Sequence, residues 1–149
     1  MQYWLLKSEP ETFGIVHLEK AKKEPWTGVR NFVARNYMRD KMRVGDLCLF
    51  CHTGKLKGIA GIAKVASRAY PDPSQFDKKS DYYEPRASYD KPYWWLVDIA
   101  FVKKFKKPVL VGELKSDPAL SNMILFRAPR LSIQPVSEKD FQHIMKLAA

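Results

Sequence analysis

Five or six strand-forming segments that do not alternate regularly with helices constrain the fold of this chain more than any other feature. The segments are residues 3–7, 47–53, 58–69 and 93–101, a short run after Pro108, and the last strand within 127–135. A helix that begins at Ser137 closes the chain. Strands in this arrangement favour antiparallel pairing. We therefore expect an α+β fold, a small and mostly antiparallel barrel of about five to six strands decorated with helices.

The clearest helix is expected from Asn31 to Met42. Its inward face carries apolar residues at helical spacing, namely Val33, Ala34, Tyr37 and Met38. Arg35 and Arg39 lie one turn apart on the other side and predict a basic face toward solvent. Arg30 is in line with the inward stripe. It either lies at the helix end with its charge in water or points into a cavity that holds an anionic or polar group.

Two further segments carry composition that bears on function. Residues 70–92 form a long irregular segment that is rich in proline and tyrosine. A loop of this length in a compact domain is usually functional or disordered, and its tyrosines favour the first interpretation. The lysine cluster at 103–107 is expected to be a solvated turn.

The overall charge favours a polyanion as the partner. The 149 residues carry 26 Lys+Arg against 16 Asp+Glu, a net charge of +10, and the 46% hydrophobic content predicts one packed domain over 1–149. No apolar run approaches the roughly 20 residues that a membrane span needs, so we expect no membrane partner. The N-terminus lacks a signal-peptide pattern, so we expect a cytoplasmic or nuclear location and reduced cysteines. A monomer is the default expectation.

The run Cys48-Leu49-Phe50-Cys51-His52 matches the spacing of a haem-attachment motif, but its position in a strand argues against that chemistry. Alternation turns Cys48 toward one face with Phe50 and His52, and Cys51 toward the other. The two thiols therefore cannot converge on a haem or act as a redox pair. No set of Cys and His residues has the spacing of a zinc site, and no glycine-rich loop fits a nucleotide fingerprint. We expect no metal and no cofactor.

Near the expected pocket, His52 and Glu9 are the only acid–base candidates, and Ser8 is a candidate nucleophile. Ser8 is not in a nucleophile elbow, so no catalytic residue is assigned and nothing in the sequence requires an enzyme.

Trp26 lies on a tight turn between Pro25 and Gly28, directly before the expected helix. An indole in this position is often a lid over the hydrophobic core. The other interpretation is a flat ring at the mouth of a pocket, with Arg30 and Asn31 donating or accepting hydrogen bonds beside it. Aromatic faces with a few polar groups are how proteins hold single bases. Asn31 has a second interpretation as a helix N-cap.

The chain resembles the EVE domain family of the PUA-like superfamily in stretches spaced along nearly its whole length. The matching stretches are 4–10, 26–31 with 34–36, 45–46, 50–53, 61–63 and 130–136. Cys51 departs from the family pattern, which usually carries an aromatic residue there. The resemblance implies a PUA-like barrel. By analogy with the related YTH domains, it also implies a pocket that holds a modified base, and EVE domains favour modified cytosine in DNA.

The resemblance also implies which residues form the site. The ligand-binding set is Lys7, Ser8, Glu9, Trp26, Arg30, Asn31, Phe50, His52, Arg130 and Ser132. Tyr83 and Tyr93 are expected to supply the second aromatic wall, in competition with Tyr82 and Tyr89. The expected phosphate contacts are Arg35, Arg39, Lys55 and Lys57. Two alternatives stay open: an RNA-binding module without a modification preference, and a hydrolase that acts on modified nucleosides.

Overall fold

One curled six-stranded sheet organises the fold in the computed structural model, which describes residues 1–149. The strands are β1 (Tyr3–Ser8), β2 (Lys23–Pro25), β3 (Leu47–His52), β4 (Gly58–Val65), β5 (Tyr70–Pro71), β6 (Trp95–Leu96), β7 (Asp98–Leu110) and β8 (Ile133–Val136). The sheet order is β2-β7-β4-β3-β1-β8, and β5 pairs with β6 in a separate ribbon. Only β1 and β3 pair in parallel. The expected α+β, mostly antiparallel architecture is confirmed.

Six α-helices decorate the sheet. They are α1 (Pro10–Phe13), α2 (Ile15–Ala21), α3 (Phe32–Asn36), α4 (Val111–Ser116), α5 (Ile124–Arg127) and α6 (Glu138–Leu147). The closing helix α6 begins as predicted, because the Ser137 hydroxyl accepts a hydrogen bond from the Asp140 N–H at 3.1 Å. None of the helices has the length and apolar character that crossing a bilayer requires.

The sheet carries a separate hydrophobic core on each face. Alternation along β3 sends Cys48 and Phe50 into the first core and Leu49 and Cys51 into the second. The two cysteines therefore lie on opposite faces, as the sequence predicts. Burial raises the pKa of both thiols, that of Cys51 to about 11, so neither is a reactive thiolate at neutral pH.

The helix expected from about Asn31 to Met42 runs over residues 32–41 but changes its pitch. After α3 the chain makes one π-helical turn over Tyr37–Lys41, closed by the Met42 N–H donating to the Tyr37 carbonyl at 2.9 Å. The buried residues of this helix are Ala34 and Met38, which pack in the first core. The prediction that Val33 faces inward is wrong. Val33 is 49% exposed.

The lysines at 103–107 lie inside a 13-residue strand, so the solvated-turn prediction is wrong. Phe105 and Val109 of β7 are buried in the second core, and their burial extends the strand past the lysines. Strand β2 pairs only with residues 98–100, so the lysine-bearing part of β7 has one unpaired edge. Lysines on such an edge discourage pairing with another chain.

Other strand boundaries also differ from the prediction. The second hairpin strand, expected over 58–69, ends at Val65. The segment expected over 93–101 begins only at Trp95, because the Gln75 Oε1 accepts hydrogen bonds from the backbone N–H groups of Tyr93 and Trp94, each at 2.9 Å. It is divided at Val97, between β6 and β7. The last strand begins only at Ile133, because a turn precedes it in which the Leu131 N–H donates to the Ala128 carbonyl.

Candidate functional site

A cavity of about 580 Å³ opens at the carboxyl end of β1 and beside the turn that follows β2. Six residues expected in the site line it: Lys7, Ser8, Glu9, Trp26, Arg30 and Ser132. The ends of β1 and β8 are held together there, since the Lys7 N–H donates to the Ser132 carbonyl at 2.9 Å. The volume is within the range of small-ligand sites, about 300–1,000 Å³.

Trp26 belongs to the first core and to the cavity wall at the same time. Its backbone N–H donates to the Val97 carbonyl at 3.1 Å, which extends the pairing of β2 by one residue. The indole packs edge-on against Phe13 and Phe50, with ring centroids 6.1 and 5.8 Å away, and is only 9% exposed. The interpretation of this tryptophan as a lid over the core is confirmed. It covers the core, and its remaining surface contributes to the cavity.

Tyr82 is the tyrosine of the long irregular segment that lines the cavity. Its ring lies over Gly28, where an added Cβ would come within 2.7 Å of the ring. Gly28 also has φ +83°, a conformation that favours glycine. The turn after Trp26 therefore needs glycine for two reasons, and the absence of a side chain lets Tyr82 reach the cavity.

Tyr83 and Tyr93, the two tyrosines expected as the second wall, do not line this cavity. Tyr83 follows Tyr82 on the same loop, and its side chain is exposed to solvent. The Tyr93 ring instead lies 4.7 Å from the guanidinium of Arg86, and the Tyr93 carbonyl accepts a hydrogen bond from Arg35 at 2.8 Å. Of the four tyrosines left open for the second wall, Tyr82 is therefore the one that lines the cavity.

Arg30 points inward, but the anionic group that it holds belongs to the chain itself. The guanidinium donates to the Asp72 carboxylate at 3.1 Å and to the Tyr82 carbonyl at 2.8 Å, and lies 5.2 Å from the Tyr82 ring. Asp72 is 1% exposed and also accepts the Gly28 N–H at 2.9 Å. This Asp72 clamp, made of Asp72, Arg30, Gly28 and Tyr82, ties the loop to the turn. Arg30 is therefore structural support for the cavity wall.

The pKa of Asp72 is lowered by the clamp. Burial acts to raise the pKa of this carboxyl. The hydrogen bonds from Ser74, Gly28 and Arg30 outweigh burial and hold the pKa below the ordinary value. Asp72 is therefore a carboxylate at neutral pH and keeps its attraction for Arg30.

The polar groups at the strand ends are mostly engaged within the chain. The Lys7 ammonium donates to the Pro129 carbonyl, and burial lowers the pKa of Lys7. The Ser8 hydroxyl donates to the Phe13 carbonyl at 2.6 Å. The Glu9 carboxylate accepts the Thr53 hydroxyl at 3.2 Å.

Phe50, His52 and Asn31 lie outside the cavity, in contrast to the expectation. Phe50 is fully buried behind Trp26. The His52 Nε2 accepts the Ile15 N–H at 3.0 Å, and burial lowers the pKa of this imidazole. Asn31 is the N-cap of α3, its side chain accepting the Ala34 N–H at 3.0 Å, which confirms the second interpretation of this residue. The acid–base candidate His52 is thus separated from the cavity.

The basic residues expected to contact phosphate differ in how free they are. Arg35 donates to the Tyr93 carbonyl, and Arg39 pairs with Asp40 at 2.8 Å. Lys55 and Lys57 are exposed in the turn between β3 and β4, and no ion pair holds either of them. Arg130 is exposed beside Ser132 at the rim and does not line the cavity.

Two residues at the cavity and its wall escape sequence reasoning. Asp72 precedes a proline-containing turn, and its side chain accepts the Ser74 N–H. This local pattern indicates a capping residue, and it gives no sign that Asp72 also pairs with Arg30. Glu24 lines the cavity from β2, two residues before Trp26, and alternation places both on one face. The two-residue spacing from Trp26 is the signal that could have identified Glu24.

The curled, mostly antiparallel sheet with a cavity at the end of its first strand defines an α+β domain of the PUA-like class. The EVE domain profile matches residues 2–147, and the chain belongs to the EVE domain family. Thymocyte nuclear protein 1 of Homo sapiens is 39% identical over 165 residues, 97% of this chain and 73% of that protein.

Solved structures give the same assignment. A hypothetical protein from Leishmania major superposes with a TM-score of 0.95 at 46% identity, covering 99% of this chain and 94% of that chain. Human THYN1 protein, solved in complex with 5-methylcytosine-containing DNA, superposes with a TM-score of 0.94 at 38% identity, covering 99% of this chain and 98% of that chain. The expected family and fold are therefore confirmed.

Proposed function

We propose that this chain is a nucleic-acid-binding module that holds one modified base, a modified cytosine in DNA, in the cavity bounded by Trp26 and Tyr82. The observation that carries the proposal is the presence of three aromatic side chains, those of Phe13, Trp26 and Tyr82, on one cavity of ligand size, with polar groups at the strand ends. The complex of human THYN1 protein with 5-methylcytosine-containing DNA supports this class of ligand, because the two chains share their fold over nearly their full length.

The energetics favour a reader of one extruded base. Taking a base out of its stack costs a few kcal/mol, and stacking on aromatic side chains contributes about 1–3 kcal/mol per base. Phosphate contacts add affinity that does not depend on sequence. Because extrusion and stacking nearly cancel, discrimination depends on how the cavity accommodates the added methyl or hydroxymethyl group.

The proposal is tested with two DNA duplexes that differ by one 5-methyl group on one cytosine. We expect the methylated duplex to bind about 4-fold more tightly or better, since burying a methyl group contributes about 0.8 kcal/mol. The titration is run at two salt concentrations, so that phosphate contacts are separated from base recognition. Equal affinities at both concentrations would contradict the proposal.

Two other outcomes would replace the proposal. A structured RNA that displaces the methylated duplex at lower concentration would favour an RNA-binding module without a modification preference. Turnover of free modified nucleosides would favour a hydrolase. Glu9 would then be its acid–base group, because His52 is turned toward the Ile15 N–H.

We propose that Lys106 and Lys107 on the unpaired edge of β7, and Lys55 and Lys57 in the turn between β3 and β4, contact phosphate groups. Arg35, Arg39 and Arg130 are further proposed contacts at the surface. Three double variants to glutamine, each removing two charges, separate the lysine surfaces: Lys106 with Lys107, Lys55 with Lys57, and, as the control on α6, Lys139 with Lys146. The slope of log affinity against log salt is expected to fall by about 0.9 for each phosphate that a variant no longer neutralises.

We expect the salt slope to fall for the Lys106/Lys107 and Lys55/Lys57 variants and to stay unchanged for the Lys139/Lys146 control. The preference for the methylated duplex is expected to persist in all three, because phosphate contacts carry no base information. Salt slopes equal to the wild-type slope in all three variants would show that none of these lysines contacts phosphate.

A monomeric state and a cytoplasmic location are part of the proposal. Light scattering during size-exclusion chromatography tests the first, and the distribution of the tagged chain in cells tests the second. The name of the human relative refers to a nuclear protein, so accumulation in a nucleus is the outcome that would overturn the second.

A further inference from the structure

We propose that Glu24 reads the exocyclic amine of the held base, so that the cavity selects amino-bearing bases such as cytosine over thymine or uracil. This inference rests on the proposed function and specifies its ligand class. It depends on which charged groups of the cavity are already engaged within the chain.

The two cations of the cavity are engaged. Arg30 donates to the Asp72 carboxylate, the Ser74 hydroxyl and the Tyr82 carbonyl. The Lys7 ammonium donates to the Pro129 carbonyl. Both terminal nitrogens of Arg30 have partners, so a base carbonyl that approached this guanidinium would compete with groups already in place. Lys7 has one partner and keeps two N–H groups for other acceptors.

One charged acceptor of the cavity has no partner within the chain. The cavity has two carboxylates, and that of Glu9 accepts the Thr53 hydroxyl at 3.2 Å. No ion pair or hydrogen bond of the chain engages the Glu24 carboxylate, which is half-buried on the cavity wall. A free carboxylate beside an aromatic wall is an acceptor for an N–H donor in the plane of a stacked base.

The position of Glu24 is fixed by the sheet. Its backbone is in register with Ile99 of β7, and the pairing continues to the Trp26 N–H on Val97. Residues two apart on a strand share a face, so the carboxylate and the indole are presented to the cavity together. A side chain on a paired strand keeps its position better than one on a free loop, which suits a group that must recognise one edge of a base.

Thymine and 5-methylcytosine provide the sharpest comparison. Both carry a methyl group at C5, and they differ at C4, where cytosine presents an amine that donates and thymine a carbonyl that accepts. Carboxylates accept from the cytosine amine and repel the thymine carbonyl. A cavity that recognised only the methyl group and the aromatic face would bind both bases alike.

The test uses duplexes with 5-methylcytosine, cytosine or thymine at one position, each opposite an abasic site, so that extrusion breaks no base pair. We expect the wild-type chain to prefer 5-methylcytosine to thymine by about 10-fold. In Glu24→Gln the new amide donates to the thymine carbonyl, so the ratio is expected to approach one. Glu11→Gln, on the exposed face of α1 and outside the cavity, is the matched control and is expected to keep the wild-type ratio. Glu9→Gln, on the same cavity, is measured as the rival variant.

The outcomes separate this inference from the function on which it rests. If the wild-type chain binds the 5-methylcytosine and cytosine duplexes with equal affinity, the proposed function is contradicted. A chain that prefers 5-methylcytosine to cytosine but binds thymine as tightly as 5-methylcytosine overturns the Glu24 inference alone. A ratio that falls in Glu9→Gln and not in Glu24→Gln also overturns it and transfers the role to Glu9.

Discussion

Replacing Trp26 with alanine is expected to remove the preference for modified over plain DNA and to leave weak, salt-sensitive binding. The indole lines the cavity, and loss of one stacking wall is expected to lower affinity for the modified duplex by about 5- to 150-fold, equivalent to about 1–3 kcal/mol. Affinity for plain DNA depends on phosphate contacts and is expected to change little. Titrations of both duplexes at two salt concentrations measure the effect.

The stability of this variant needs its own control, because Trp26 also belongs to the first core. Removing a buried tryptophan side chain typically costs about 3–5 kcal/mol of unfolding free energy. Leu18→Ala is the matched variant. Leu18 is fully buried in the same core and does not line the cavity, and its loss costs about 2–5 kcal/mol. We expect Leu18→Ala to keep the modified-base preference. A folded Trp26→Ala protein with an unchanged preference would contradict the role of the indole.

Asp72→Asn is expected to release the loop that carries Tyr82. The variant keeps the shape of the side chain but leaves Arg30 without its charged partner. Breaking a buried pair costs about 3–5 kcal/mol, and because Arg30 is 22% exposed we expect the lower end, about 3 kcal/mol. Urea unfolding measures the loss, and limited proteolysis within residues 77–91 reports the release of the loop. Asp40→Asn is the control, since Asp40 pairs with Arg39 at the surface.

Binding and stability are expected to respond together in Asp72→Asn. Tyr82 is 46% exposed and loses the guanidinium that donates to its carbonyl, so affinity for the modified duplex is expected to fall. The control Asp40→Asn is expected to change neither quantity measurably. An Asp72→Asn protein with wild-type stability and an intact loop would show that the clamp does not hold the cavity wall.

The lowered pKa of the Asp72 carboxyl group predicts that the free energy of unfolding depends on pH. The pKa of Asp72 is lower in the folded chain than the ordinary value of about 3.9 in an unfolded one. Its contribution to stability is therefore fully present above the unfolded pKa and is lost as pH falls through the lower, folded pKa. The difference in unfolding free energy between wild type and Asp72→Asn is expected to stay constant above about pH 5 and to shrink below about pH 4.

The parts of the fold that local patterns encode were predictable. Alternation assigned Cys48 and Cys51 to opposite faces, and the capping pattern at Ser137 located the start of the closing helix. These features depend on backbone periodicity and on contacts within a few residues, which a sequence displays directly. The resemblance in turn indicated the family and six of the residues that line the cavity.

The parts that depend on distant contacts were not predictable. Nothing near Tyr82 distinguishes it from Tyr83 or Tyr93. It lines the cavity because Gly28, 54 residues earlier, has no side chain in its way. Lys103 and its neighbours have the local composition of a turn, yet burial of Phe105 in the second core makes them part of a strand.

The sequence by itself determined the two-sided core, the helix ends, the basic character of the chain and the aromatic and polar residues available for a site. Only the tertiary structure decided which of those residues meet. Arg30 became a structural support because Asp72 neutralises it, whereas Glu24 stayed free for a ligand. The physical reason is that hydrogen bonds and ion pairs join groups that are close in space. Closeness between positions tens of residues apart is set by packing of the whole sheet and its loops.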